Sequence, residues 1–530
     1  MDRTRWIFLD QLGPHFDDGG PMLLVESRSS WRGRTLHRAK LQLLLSAIRH
    51  RARDLGDRVD FRQVEHYSEA VDGRDDLQVI DPTSYRARRL VRRVGAEILP
   101  SRGFVTSESD FAAWADSRAG KRLLMEDFYR VVRQRTGVLM EGQEPAGGRW
   151  NHDHDNREKP PKGAASLGLP APLWPEEDDI DEEVRHDIAR WERDGVVTLV
   201  GDAGPRRFAA TAAEAEAALA DFVEVRLPDF GPFEDATLGG DWTMAHSLIS
   251  APMNLGLIDP RDVIDTVAAA YAAGDAPIRS VEGFVRQIMG WRDYMWHLYW
   301  RLGEDYATSN NKLEAHEPLP QVFATLGRDL GGAGGGAGGA GGAGGADGGA
   351  GTGGGGARGG TGEPTDAAGE AVVEAKCLAE TLDGLHRHGW SHHIQRLMIL
   401  GNWALQRGVE PSALSQWFID MYVDGTPWVM PANVVGMSQH ADGGIVATKP
   451  YASGGAYINR MTDHCGGCRF DPKKRLGPDA CPVTAGYWAF LDRTGPVLMG
   501  NPRMRQALSG LAGLADREAV VQQERERTRW

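Results

Sequence analysis

Ser280-Val281-Glu282-Gly283-Phe284-Val285-Arg286-Gln287-Ile288-Met289-Gly290-Trp291-Arg292-Asp293-Tyr294, running on to Leu302, is the stretch that decides the fold of this chain. Its apolar residues Val281, Phe284, Val285, Ile288, Met289, Trp291, Met295 and Leu298 recur every three or four positions, one stripe of helical period. Such a stripe predicts an amphipathic helix laid into a core. His392 to Leu405 repeats the rhythm, and strand-type alternation is rare beyond about residue 180. The second half of the chain therefore reads as mostly helical.

The first hundred residues read differently. Trp6-Ile7-Phe8-Leu9, Met22-Leu23-Leu24-Val25, Val59 to Val64 and Leu77-Gln78-Val79-Ile80 are short apolar strands, and Leu41 to Leu55 has helical spacing between them. Alternating strands and helices predict a parallel sheet with helices on both faces, a Rossmann-like α/β unit over residues 1–150. The loop after the first strand is Asp10-Gln11-Leu12-Gly13, so the usual G-x-G-x-x-G dinucleotide fingerprint is missing. Residues 151–185 are polar and proline-rich and read as a linker. His152 and His154 lie in it, and a solvated turn competes there with a metal site. The helical unit then covers residues 186–530. Within it, residues 331–362 are almost wholly Gly and Ala, a tract that cannot bury apolar surface and is expected to be a disordered loop insertion.

Four cysteines are all the chain contains, and three crowd into Cys465-x2-Cys468-x12-Cys481, followed at once by Pro482, with Cys377 far upstream. Thiolates are soft ligands, and four match either a [4Fe–4S] cluster or a structural zinc. The Cys-Pro ending is like that of bacterial ferredoxin motifs, and the distant fourth cysteine is unlike a compact zinc ribbon; both favour the cluster over zinc. At 41% hydrophobic and 25% charged residues, the composition is that of a soluble globular protein of two or three domains. No apolar run approaches the ~18 residues of a membrane helix. The formal charge of −14 excludes a generally basic nucleic-acid coat but leaves room for a local basic groove. Met1-Asp2-Arg3-Thr4-Arg5 opens no apolar leader, so a cytoplasmic location is expected.

Three stretches carry a resemblance when taken together: Ala245-His246-Ser247-Leu248-Ile249-Ser250 with Asn254-Leu255-Gly256-Leu257, then Glu282 to Tyr294, then His392-His393-Ile394-Gln395-Arg396-Leu397-Met398. They resemble the flavin-binding helical domain of the photolyase/cryptochrome family. The cysteine set and the run from Trp428 to Tyr451-Ala452-Ser453-Gly454 narrow this to the iron–sulfur bacterial cryptochromes and photolyases, whose known enzymes repair (6-4) photoproducts. The resemblance implies an α/β antenna domain followed by an all-α domain that binds FAD and carries a [4Fe–4S] cluster on Cys377, Cys465, Cys468 and Cys481. It implies a monomeric enzyme, a (6-4) DNA photolyase, acting on UV-damaged DNA without a membrane. His246, Ser247, Leu248, Ser250, Glu282, Gln287, Trp291, Arg292, Asp424, Asn433 and Asp442 fall at its cofactor positions. Hydroxyl, amide and guanidinium donors among them suit a flavin diphosphate. Asn433 matches the asparagine placed beside flavin N5.

The same resemblance makes His392, His393 and Tyr451 catalytic and puts Leu397 and Met437 in the lesion pocket. Repair of a (6-4) lesion moves a proton as well as an electron, and a histidine is suited to move it. In the implied reaction, excited reduced FAD passes an electron to a dinucleotide flipped out of the duplex, and His393, assisted by His392, shuttles the proton. Lys449, Arg460, Lys473, Lys474 and Arg475 are candidates to hold the DNA phosphates.

Trp417 matches the flavin-proximal electron carrier. Phe418 follows it where a relative has tyrosine, and a further tryptophan expected before Cys377 has no counterpart, leaving Trp390, Trp403 or Trp428 as substitutes. A 6,7-dimethyl-8-ribityllumazine antenna is implied by Asp10-Gln11-Leu12 and Tyr85-Arg86. The loop Glu26 to Lys40, with Ser29-Ser30-Trp31-Arg32, departs from the pattern. Two other functions stay open at this point: a blue-light receptor that regulates genes without repair, and a non-photochemical iron–sulfur DNA-binding module.

Overall fold

A computed structural model describes residues 3–327, 373–528 and 530. The Gly/Ala tract 331–362 lies outside the described residues, and with it the expectation of a disordered insert.

Residues Thr4–Ile7 (β1) and Met22–Ser27 (β2) are buried along their whole length. Such strands need cover on both faces, as the centre of a parallel sheet gives them. Thr35–His37 (β3) stands outside that sheet, and Val59–Val64 (β4), Leu77–Ile80 (β5) and Glu97–Leu99 (β6) complete it in the order β4-β2-β1-β5-β6. Every pairing is parallel, with Trp6 opposite Leu23 and Val79 opposite Ile98. Alternate side chains go to opposite faces. Trp6, Leu23, Val25, Leu77 and Val79 pack with Val91 on one face. Ile7, Met22 and Leu24 pack with Leu43, Ala47 and Ile48 of the helix Arg38–Leu55 on the other.

β3 arises in the loop Glu26 to Lys40 and pairs with Thr198–Val200. The helix Asp179–Arg193, started by an Asp178/Asp181 capping box, packs against Arg38–Leu55. Residues 179–200, at and beyond the expected linker, thus associate with the α/β unit. The segment 151–157 is not a solvated turn: His152 and Asn156 are buried, the His152 amide donates to Glu282, and the Asn156 amide donates to the Arg279 carbonyl. A polar sequence lies flat here because the opposite helix offers it partners.

Beyond residue 200 the described chain is helical except for short bridges. None of its helices is long and apolar enough to cross a membrane. Asp293 fastens the two halves together. Its carboxylate accepts from the amides of Val105 and Thr106 (3.0 and 2.7 Å) and from the Thr106 hydroxyl. The Tyr85 hydroxyl donates to the carbonyls of Tyr299 and Trp300. Lys40, buried without a carboxylate beside it, donates to the carbonyls of Ile419, Tyr422 and Gly425. One hydrophobic core runs across this junction, from Leu24 and Phe128 to Phe284, Leu397 and Met437.

Candidate functional site

Three of the motif stretches share a local distortion. Helix Ile278–Val285 widens into a π-helical stretch at Arg286–Arg292 before Asp293–Leu302. Gln395–Gly401 and Ala432–Ser438 are π-helical as well. A π turn spends an extra residue per turn and re-aims the side chains around it, a feature that collects at functional sites. Gln287, Trp291 and Arg292, then Leu397, then Asn433 and Met437, all lie on these three stretches. Sequence periodicity gave no sign of them, since apolar spacing of three to four tolerates one wide turn.

The histidines come together. The rings of His246 and His392 stack with centroids 4.4 Å apart and an interplanar angle of 22°. His392 is buried, and its Nε2 lies 2.8 Å from the Thr237 hydroxyl. His246 Nε2 lies 3.3 Å from the Glu234 carbonyl, which can only accept, so Nε2 carries the proton and Nδ1 is a bare acceptor. The Nδ1 atoms of both rings are buried and unpartnered. His393 is exposed and held by no hydrogen bond, yet protein surrounds it closely enough to push its pKa down to about 4. A side chain that is both accessible and hemmed in lines a concavity. Burial holds His246 at about 4 and His392 well below the ordinary value, so all three rings are neutral at pH 7. The expectation that the pair titrates near neutrality does not hold in this structure.

The other expected cofactor residues divide. Asp424 is buried and takes both Nη atoms of Arg396 (2.9 and 3.0 Å) and the Ser250 hydroxyl (2.7 Å), while its carbonyl accepts from Asn254. Arg396 lies over the Tyr422 ring at 4.2 Å and beside Trp390 at 5.8 Å. Asn433 and Gln287 are half-buried and donate to carbonyls one turn back, Val429 and Gly283. Trp291 is half-buried against the main core. Ser247 and Leu248 line a cavity of about 320 Å³ with His246, Trp174 and Arg207. Leu248 sits there at φ 57°, a left-handed conformation costly for leucine.

Three residues turn away from such a role. Glu282 is fully buried and accepts from the Tyr129 hydroxyl (3.0 Å) and the His152 amide (2.9 Å). Asp442 accepts from Tyr306 and from the amides of Gly444, Ile445 and Val446, which makes it the hub of a turn. Arg292 donates to the carbonyls of Gly103 and Met253 and lies over Phe104 and Trp428, bracing the two halves. Beside the stacked histidines, burial pushes the Glu234 carboxyl up to about 8, so it is protonated at neutral pH. Its Oε2 and the Nε and Nη2 atoms of neighbouring Arg286 also lack partners. Sequence reading missed both residues, since a lone Glu-Asp pair carries no signal of its own burial. Buried orphan atoms on His246, His392, Glu234 and Arg286 leave this concavity suited to a polar organic ligand.

Leu397 and Met437 are buried in the core that borders the histidines. Tyr451 is 36% exposed, and Asp153, Arg157, Arg503 and Asp235 act on its hydroxyl, so it stands at the opening where these charges meet. Lys449, Arg460 and Lys473 are exposed. Lys474 and Arg475 instead pair with Asp479 and Asp516.

All four cysteines line one apolar cavity, with Ile458, Phe470, Pro482 and Val483. Cys377 is the second residue of the helix Lys376–His388, and Cys481 is the N-cap of Pro482–Leu498 with Pro482 at its first position. The Cys-Pro ending is thus a helix start, where a missing amide costs nothing and the helix dipole favours a thiolate. No three of the four sulfurs lie within 4.8 Å of one another. A tetrahedral zinc at 2.3 Å bonds would draw four thiolates to about 3.8 Å apart. The cavity suits a larger group.

Trp417 is buried and donates its indole N–H to the Phe323 carbonyl, with Phe323, Phe418 and Tyr422 around its ring. In the α/β unit, Gln11 donates to the Ile80 carbonyl, Asp10 accepts from Thr83, Glu26 pairs with Arg49, and Tyr85 stacks on Tyr299. These side chains are engaged internally and do not form an antenna cradle.

A family profile described as deoxyribodipyrimidine photo-lyase-related protein matches residues 5–198. The (6-4) photolyase of Agrobacterium fabrum is 36% identical over 501 residues, covering 91% of this chain and 88% of that protein. Among solved structures, a bacterial class III photolyase from Agrobacterium tumefaciens superposes with a TM-score of 0.54 at 14% identity, covering 94% of this chain and 98% of the other.

Proposed function

We infer the activity of this chain from the family to which it belongs, that of the photolyases. The proposal is light-driven repair of (6-4) pyrimidine photoproducts in DNA, carried out in the cytoplasm. The observation that carries it is the 36% identity to a (6-4) photolyase across nearly the whole of both chains. The histidine cluster supports the same reaction, because it sets an accessible imidazole beside a fixed one where a proton has to move.

FAD, when bound, supplies the light-excited electron. Ser247, Leu248, Gln287, Trp291 and Asn433 would hold it, with His246 and the Asp424–Arg396 pair on its border. Glu282, Asp442 and Arg292 shape this cup from behind. The four cysteines would hold a [4Fe–4S] cluster that ties residue 377 to residue 481, and the spread of their sulfurs favours it over a single zinc.

His392, anchored on Thr237, fixes the position of His393, whose ring is free to meet a flipped dinucleotide. At neutral pH His393 is an uncharged donor and acceptor. A lesion flanked by phosphates brings negative charge, which raises an imidazole pKa towards the range where it gives and takes a proton. The protonated Glu234 beside the pair is a source for that proton. Lys449, Arg460 and Lys473 would meet the phosphates, giving salt-dependent binding. The test is a duplex carrying one (6-4) lesion, incubated with flavin-loaded protein under blue light and in darkness. Repair in light alone is expected; a flavin-bound protein that leaves the lesion untouched in light would point to the photoreceptor reading instead.

A further inference from the structure

We propose that Trp174, Trp242 and Trp390 form a ladder along which electrons enter the flavin cup from solvent. The ladder rests on the flavin reading above. Trp390 is buried with an unpartnered indole N–H, 6.2 Å from the His246 ring centroid and 5.8 Å from the Arg396 guanidinium carbon. The inner rung thus borders both the stacked histidines and the Asp424–Arg396 pair. Trp242 follows, with centroids 5.7 Å apart and planes at 66°, and Trp174 lies a further 5.7 Å out, nearly parallel at 14°. These separations put successive rings in van der Waals contact. Trp174 is half-buried and lines the 320 Å³ cavity that Ser247 and Leu248 share, so a small solute reaches it.

The contrast with Trp417 gives the ladder its weight. Outward from Trp417 the next ring is Phe323 at 4.9 Å, and Trp403 comes only beyond it, 5.4 Å further. Phe418 is the other neighbour. A phenyl ring is much harder to oxidise than an indole, so that path is broken where the Trp390 path is continuous. In the proposed sequence, Trp390 gives one electron to the light-excited acceptor in the cup. The hole moves to Trp242 and then to Trp174, leaving each inner indole restored. At Trp174 an added thiol supplies the electron and releases its proton to water, and two such thiyls couple to a disulfide.

The test uses the full, flavin-loaded, oxidised chain in blue light with excess dithiothreitol. The readouts are the rate at which visible flavin absorption is lost and the transient absorption of tryptophan radicals. Trp242→Phe and Trp174→Phe are each expected to slow flavin photoreduction at least about tenfold and to remove the long-lived radical, while Trp242→Tyr, still oxidisable, keeps most of the rate. Trp417→Phe is expected to change it less than about threefold. Flavin content and repair by chemically pre-reduced protein stay unchanged in the ladder variants. Photoreduction at the wild-type rate in both Trp242→Phe and Trp174→Phe, or its abolition by Trp417→Phe alone, overturns the ladder and leaves the functional reading standing. A wild-type protein that binds no flavin overturns both.

Discussion

Asp424→Ala isolates the electrostatic centre of the site. The carboxylate is 7% exposed and Arg396 17%, and two parallel bonds of 2.9 and 3.0 Å join them. Removing the carboxylate strips both charge-assisted bonds from the guanidinium and one from Ser250, and leaves a buried cation without a counter-charge. Breaking such a pair costs about 3–5 kcal/mol. Arg396 keeps its Nε bond to the Ser391 carbonyl and its place over Tyr422, so the lower end applies, about 3 kcal/mol. That is roughly a hundredfold in the unfolding equilibrium. Adding Arg396→Met removes the stranded charge and should recover half or more of the loss. Urea titrations followed by far-UV circular dichroism read both numbers. A single variant within about 0.5 kcal/mol of wild type, or a double variant no better than the single, would refute the reasoning.

Two other expectations follow from the same geometry. His37 and His246 are held at about 4 by burial, so the unfolded chain binds more protons between there and about 6.5. Stability should therefore fall as pH drops through that window, by up to about 1.4 kcal/mol per pH unit for each fully buried ring, and a melting temperature unchanged between pH 7 and 5 would contradict this. Cys481→Ser should reduce iron and acid-labile sulfide from about four per chain to near zero and abolish the broad visible absorption, whereas one tightly held zinc in the wild type would contradict the cluster.

The central strands were legible because they are buried on both faces and so read as plain apolar runs, down to the bounds of Val59–Val64 and Leu77–Ile80. β3 was not legible: it has three residues, and its partner Thr198–Val200 is remote in sequence. The chemistry of the site was visible as residue types, but their partners were not. Glu282 and Arg292 look like ligand residues until Tyr129, His152 and Gly103 are seen to satisfy them. His246 was placed among cofactor residues, and only the fold reveals that its ring stacks on His392. Glu234 escaped notice because protonation at neutral pH is a property of surroundings assembled from distant segments.

The central claim is that an accessible imidazole, steadied by a buried one, moves the proton of (6-4) repair. Its most direct measurement is the repair yield per light flash on a duplex with a single defined lesion, comparing wild type with His393→Ala in the flavin-loaded, pre-reduced state. The account predicts repair by the wild type and a loss of about a hundredfold or more in the variant, with flavin content and lesion binding intact. A variant that repairs within about twofold of wild type would contradict it.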